Sequence, residues 1–228
     1  NLGFRTFFKK YEKNSFGYQN FTRHYNLINF SPSIIENKSK VTPEKIIVIS
    51  RFFHKIAKEF YKKQISLLGP TNRFKNNIVK KLKKNYNKNH IILILSGIIE
   101  IDKALIKVVT DVCLIENEIK IYVKDHPILP LSKITSLKNI PNNLILTRQN
   151  LENLLKKSLI SITSGPTSAI QESYNMNNFL ILPDIEVGTK INSLRLKLNP
   201  KNVFITENTA QFISAIKFIK KNKNKFKK

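Results

Sequence analysis

The chain has 228 residues, with 40 Lys and Arg against 15 Asp and Glu, a formal net charge of +25. Hydrophobic residues make up 41% and aromatics 10%, which supports a packed core and excludes a disordered chain. The longest apolar run, Ile91 to Leu95, is far below the roughly 18 residues of a membrane span, and one cysteine excludes an intramolecular disulfide or a cysteine-based zinc site.

The length allows one large or two small domains. Cys113, between Val112 and Leu114, reads as a small core residue. The four histidines show no metal-ligand spacing. A reducing, cytoplasmic setting follows. No charged-then-apolar signal opens the chain. It begins with Asn1 rather than Met, so it is expected to be a fragment or a processed product. Its richness in Lys, Asn and Ile suggests an AT-rich coding bias. That bias would also favour Glu and Asp codons, so the shortage of acids has another cause. Three partners fit the charge: nucleic acid, an anionic membrane surface or an anionic small substrate.

Residues 1 to 30 interleave aromatic and basic side chains, among them Phe4, Phe7, Phe8, Tyr11, Phe16 and Tyr18. Such a mixture packs as an amphipathic element or binds single-stranded nucleic acid. Phe4, Phe7, Phe8 and Tyr11 have helical spacing. Residues 31 to 45 read as a loop. Ile46–Ile49, Phe52–Lys63 and Ile65–Leu68 read as strand, helix and strand, a parallel βαβ unit ended by Gly69-Pro70. Residues 71 to 89, with Lys80, Lys81, Lys83, Lys84 and Lys88, read as a basic linker or an exposed helix.

A longer series begins at His90. Ile91–Leu95 is a continuous apolar run, as a strand covered on both faces requires. Ser96-Gly97 turns the chain into a helix over 101–112. Ile119, Ile121 and Val123 alternate as a strand that ends at Lys124-Asp125-His126-Pro127. Leu144–Leu146 is a short strand, and Asn150 caps a helix over 151–156. Leu159–Ile162 is the next strand, ending in Ser161-Ile-Thr-Ser-Gly-Pro-Thr-Ser-Ala-Ile-Gln-Glu172, with Pro166 suited to the first position of a helix. Phe179–Leu182 is a strand ended by Pro183. A short helix over 189–198, a strand at Val203–Ile205 and a helix over 207–220 complete the pattern. Strands alternating with helices predict an α/β fold, a doubly wound parallel sheet with flanking helices. The segment Lys217–Lys228 carries seven lysines and reads as a solvated tail or as a contact with an anionic membrane face.

In open parallel sheets, ligands bind beyond the C-terminal ends of strands. Two polar clusters fall there. Ser164, Gly165, Thr167 and Ser168 bring hydroxyls and N–H groups to a helix start, which favours an anion or is simply a capped helix. Ser168 and Glu172, four apart, share one face, so a phosphate at the tip and a sugar hydroxyl one turn further in would fit. Lys124 and His126 would face the same way in an extended chain and make two cationic contacts for a diphosphate; alternatively, the loop merely contains a histidine. Gly97 is a weaker third candidate, because glycine lets a ligand approach the backbone. Preset cations and N–H donors stabilise a leaving diphosphate more in the transition state than before it. His126, if protonated, would also supply a proton to the leaving oxygen. The scheme needs no metal, and the sequence has no Asp-x-Asp pair to hold one.

Lys124-Asp125-His126-Pro127, then Ser164-Gly165-Pro166-Thr167-Ser168 and Glu172 ahead of Phe179–Pro183, resembles the C-terminal half of GT-B-fold glycosyltransferases. The K-x-H-P and S/T-S…E motifs are similar to those of bacterial enzymes of capsule and surface polysaccharide synthesis, including sialyltransferase-like and CDP-glycerol-transferase-like groups. Residues 46–74, with Leu68-Gly69-Pro70 and Arg73, resemble the last βαβ unit of the N-terminal domain in that family. The resemblance covers residues 44 to 220. It implies a GT-B-like fold with an incomplete N-terminal, acceptor-side remnant over 1–75, a basic linker over 76–89, a Rossmann-like nucleotide-sugar domain over 90–220 and a basic tail over 221–228.

It further implies His126 and Lys124 on the donor phosphates, with His126 catalytic. Ser164, Thr167 and Ser168 would bind phosphate and Glu172 the ribose; the residues themselves add Gly165 and Gly97 as further donor-binding candidates. No cofactor is expected beyond a CMP-, CDP- or UDP-linked sugar as substrate. The acceptor would be a polysaccharide or lipid-linked glycan, and the setting cytoplasmic, peripheral on the inner face of the membrane through Lys217–Lys228. The catalytic base of full-length relatives has no recognisable counterpart. A nucleotide-sugar 2-epimerase of the same fold is the alternative enzyme, although Gln171-Glu172 replaces the paired glutamates of such enzymes. A nucleic-acid-binding protein would account for the charge but would leave both strand-end clusters without a purpose.

Overall fold

The structure, a computed structural model, describes residues 16–18, 34–39, 42–49, 51, 54–55, 58, 65–69, 88–136, 140–165, 167–185 and 202–223. The chain divides into two compact units, Asn1–Lys75 and Asn76–Lys228.

In the first unit, β1 (Phe16–Tyr18), β2 (Lys45–Val48) and β3 (Ile65–Leu68) form a parallel sheet in that order, and α1 covers Ile34–Lys38. The central strand is the buried one, with Ile46 and Val48 alternating inward. The expected parallel pairing of β2 with β3 is present, and positions 51, 54, 55 and 58 between them are helical. Phe16 and Tyr18 stand on the strand β1. Lys45 Nζ lies 5.4 Å from the centre of the Phe16 ring, so basic and aromatic residues meet within the sheet. The helical spacing noted at Phe4, Phe7, Phe8 and Tyr11 lies outside the described residues, as does most of the basic stretch 71–89.

The second unit holds six parallel strands: β4 (His90–Ile94), β5 (Ile121–Lys124), β6 (Leu144–Leu146), β7 (Ser158–Ile162), β8 (Phe179–Pro183) and β9 (Val203–Thr206), in the order β6-β5-β4-β7-β8-β9. Helices α2 (Ile99–Ile115), α3 (Leu151–Lys157), α4 (Ala169–Asn175) and α5 (Thr209–Asn222) accompany them. The apolar run of β4 is buried on both sides. Ile91, Leu93 and Leu95 join Leu105, Val109 and Val112 of α2 and Phe212, Ile216 and Ile219 of α5 in one core. Ile92 and Ile94 pack instead with Leu154 and Leu155 of α3, Ala169 of α4 and Met176. Each of the Ile, Leu, Val, Phe and Met side chains contributes about 1.5–3 kcal/mol by leaving water, so both faces of β4 anchor the unit. The sheet is therefore doubly wound. Its strand order reverses between β4 and β7, the position where such sheets open a crevice at their C-terminal edge.

Local signals account for several boundaries. Asn150 Oδ1 accepts from Asn153 N at 2.9 Å and Asn208 Oδ1 from Gln211 N at 3.0 Å, each satisfying an orphan donor of the first helical turn. Helix α5 thus starts after Asn208 and runs to Asn222. Ile219, expected in a solvated tail, is fully buried, and the Phe218 ring lies 6.0 Å from that of Phe204. Pro183 ends its strand as expected, as the last residue of β8, in register with Thr206. The short helix expected over 189–198 lies outside the described residues. No helix among the described residues is long and apolar enough to cross a membrane.

Lys88, expected in a solvated linker, belongs to the packed unit. Its ammonium donates to the Met176 carbonyl and, at 2.7 Å, to Asn178 Oδ1. Burial holds its pKa down at about 8. Cys113 is a core thiol as expected, and burial pushes its pKa up to about 11.

Candidate functional site

Three loops leave the C-terminal ends of β4, β5 and β7 beside one another, and two glycines set how closely they meet. Gly97 follows β4 with φ +85°, a left-handed conformation that costs other residues about 1–2 kcal/mol. The ring of His126, beyond the end of β5, lies against it. A Cβ on Gly97 would stand 2.6 Å from Nδ1 and 2.7 Å from Cγ. Gly165, beyond β7, has φ +77°, and a Cβ there would meet Ile101 Cδ1 at 2.9 Å and Ser96 Cβ at 3.7 Å. The β4 loop therefore sits between the His126 loop and the Gly165 loop and contacts both.

The N–H of Ile128 points at His126 Nδ1 from 3.4 Å. That contact places the proton of a neutral ring on Nε2 and leaves Nε2–H as the donor offered elsewhere. Lys124 enters the same edge as the last residue of β5, and its carbonyl accepts from Leu95 N at 3.0 Å. Strand alternation puts its side chain on the face of Tyr122, opposite Val123.

After β7, helix α4 begins at Ala169, three residues later than a Pro166 start would give; Pro166 itself lies outside the described residues. A turn precedes it, with Thr167 N donating to Gly165 O at 3.0 Å and Ala169 N to Thr167 Oγ1 at 3.3 Å. Ser168 does not cap the helix with its side chain. Its hydroxyl donates instead to Glu172 Oε1 at 3.2 Å, so the expected i,i+4 pair meets. Ser164 Oγ donates to the Pro183 carbonyl at 3.4 Å, tying the β7 loop to the end of β8.

The Gly97 amide is engaged within the protein. Its N–H donates to Asp102 Oδ2 at 2.8 Å, so the close approach that glycine permits is to the His126 ring. Asp102 is a residue that the sequence pattern alone does not mark. It is fully buried in the first turn of α2. The signal for it was an acidic residue in the first turn of a helix that follows a strand and a Ser-Gly turn. Among the described residues, no group of three His, Cys, Asp or Glu side chains is placed to hold a metal ion.

The sequence matches no family model and no curated protein. Solved structures do match in shape. The S. aureus MnaA–UDP co-structure superposes with a TM-score of 0.56 at 13% identity, over 96% of this chain and 62% of that one. A putative UDP-N-acetylglucosamine 2-epimerase from Listeria monocytogenes gives 0.55 at 14%, over 96% and 62%. TarM gives 0.52 at 18%, over 91% and 43%. The fold is GT-B-like. The chain spans about three-fifths of the first two neighbours' length and less than half of TarM's. Within a GT-B-like fold, the six-stranded unit and its C-terminal edge are the natural place to look for a ligand, since fold alone assigns no chemistry.

Proposed function

We propose that the chain binds a nucleotide-activated sugar at the C-terminal edge of β4, β5 and β7 and serves in glycosyl transfer. The observation that carries this is the junction of the His126 ring with the β4 tip, alongside the Gly165 loop that leads to Ser168 and Glu172. The end of β5 offers an imidazole donor and the Lys124 ammonium; the end of β7, on the other side of β4, offers hydroxyls and a carboxylate one helical turn on. Such a spread suits a nucleoside diphosphate with its ribose, because anions and sugar hydroxyls are met by different groups. His126, Lys124, Ser164, Thr167 and Ser168 would contact the phosphates and Glu172 the ribose.

In transfer, the bond from the sugar's anomeric carbon to the phosphate oxygen breaks and its electron pair stays on the phosphate. The acceptor's hydroxyl oxygen bonds to that carbon, and its proton passes to a general base, a role assigned to no residue of this chain. The Nε2–H of His126 would meet the charge that grows on the leaving group, and the Lys124 ammonium would add to it. These groups serve without a metal. The acceptor would be a surface polysaccharide or a lipid-linked glycan, reached from the cytoplasmic side.

An epimerase would use the same nucleotide site, and TM-scores of 0.52–0.56 do not separate the two chemistries. In this chain Gln171 Nε2 donates to Asn175 Oδ1 at 3.1 Å along the helix, an amide where the epimerase pattern has a carboxylate.

Calorimetric titration of CMP, CDP and UDP tests the reading. At least one should bind, and His126→Ala and Glu172→Ala should each weaken it. No binding by any nucleotide, or wild-type binding by both variants, would remove the assignment.

A further inference from the structure

We propose that Asp102 is a positioning residue for His126, acting through Gly97; its consequence for nucleotide binding rests on the function proposed above. Asp102 is a fully buried carboxylate, and such a group is retained only where its lone pairs are met. Here they are met by the β4 tip. Ser96 N and Ser96 Oγ donate to Oδ1 at 2.7 and 2.9 Å, and Gly97 N donates to Oδ2 at 2.8 Å. Asp102 is itself fixed, since its own N–H donates to Ile98 O at 2.9 Å as part of α2. Charge-assisted bonds of this kind are short and strong, and three on one carboxylate leave the tip a single conformation.

That conformation is the unusual one. Gly97 is held at φ +85°, and its Cα faces the His126 imidazole with no room for a further atom. The ring is braced on its other contact by Ile128 N. Moving the Gly97 peptide by a few tenths of an ångström therefore moves the surface on which His126 rests. A carboxylate five residues beyond Gly97 thereby sets the direction in which Nε2–H points.

Asp102→Asn tests this. The substitution keeps the shape but replaces one acceptor oxygen with an NH₂ that opposes a backbone N–H. The first readout is the pair of His126 ring ¹⁵N chemical shifts at fixed pH, assigned by their loss in His126→Ala. They should move in Asp102→Asn while circular dichroism shows the fold intact; unchanged shifts would overturn the proposal. If Asp102→Asn does not fold, Ser96→Ala removes one of the three bonds and should move the same signals by less, with unmoved signals again decisive against.

The second readout is a double-mutant cycle on nucleotide affinity. Asp102→Asn should weaken binding by about tenfold in the wild-type background and by clearly less in the His126→Ala background. Equal factors in both backgrounds would show that Asp102 does not act through His126. If wild type binds no nucleotide, the function proposed above fails, and the ring shifts alone still decide the role of Asp102.

Discussion

The His126 imidazole fills the space that a side chain at Gly97 would need, with Nδ1 2.6 Å from the position of the missing Cβ. The neighbour is a ring held by its own loop, so it has little freedom to step aside. Gly97→Ala also forces alanine into φ +85°. The backbone cost is about 1–2 kcal/mol, and displacing the ring adds to it. The melting temperature should fall by several degrees, and nucleotide affinity should drop to the level of His126→Ala. A Gly97→Ala protein that binds nucleotide normally would show that the ring's present place is not needed.

Gly165→Ala separates backbone strain from displacement of the ring. At φ +77° the strain is similar, about 1–2 kcal/mol. The contact, however, is the Cδ1 end of Ile101, which can rotate away. Gly165→Ala should lower the melting temperature by less than Gly97→Ala, by the backbone cost alone, while leaving the His126 ring ¹⁵N shifts in place. A comparable change in those shifts would mean that the two loops are mechanically coupled.

Lys88 gives the protein a pH dependence of defined sign. Burial lowers its pKa from the ordinary 10.5 to about 8 in the folded chain. Below pH 8 both folded and unfolded forms carry the proton, so the penalty for burying the charge is present in full. Between pH 8 and 10.5 the folded form has released a proton that the unfolded form still holds, so stability rises with pH. Cys113 works the other way: its thiol, pushed from 9.0 to about 11, costs stability as pH rises from 9 to 11. Comparing wild type with Lys88→Met by urea denaturation removes the Cys113 contribution. The wild type should gain on the variant steadily from pH 8 to 10.5. A difference that stays flat over this window would mean that Lys88 titrates normally.

The parts of the fold that were legible were those fixed by short-range pattern. Five consecutive apolar residues at Ile91–Leu95 announce a strand covered on both faces, and Asn150 before Leu151, Leu154 and Leu155 at helical spacing announces a helix start. What was not legible depended on where side chains end in space. Lys88 reads as one more solvated lysine until the Met176 carbonyl and Asn178 are placed beside it. Asp102 reads as a favourable charge in a first helical turn, and nothing local says that it bends back to a strand tip. Pro166 suggested an early start for α4, yet the turn closed by Thr167 N and Gly165 O delays it to Ala169. At the site, the meeting of Ser168 with Glu172 followed from their spacing, whereas the contact of His126 with Gly97 required the strand order.

Asn178 tests whether stability and binding are separable in this sheet. It is fully buried, and its Nδ2 donates to Leu155 O at 3.2 Å and to Ser161 Oγ at 3.1 Å while its Oδ1 accepts from Lys88. Asn178→Ala leaves Ser161 without its donor and the Lys88 ammonium with one acceptor fewer. Leu155 O keeps a partner in Ser158 N. The expected loss is about 1–3 kcal/mol, read as a lower urea midpoint. Asn178 immediately precedes β8 and Lys88 lies just before β4, so both sit at the N-terminal ends of strands, the edge opposite His126 and Gly165. Nucleotide affinity at a temperature where the variant is fully folded should therefore equal that of wild type. A parallel fall in affinity would show that the ligand does not rest on the C-terminal edge alone.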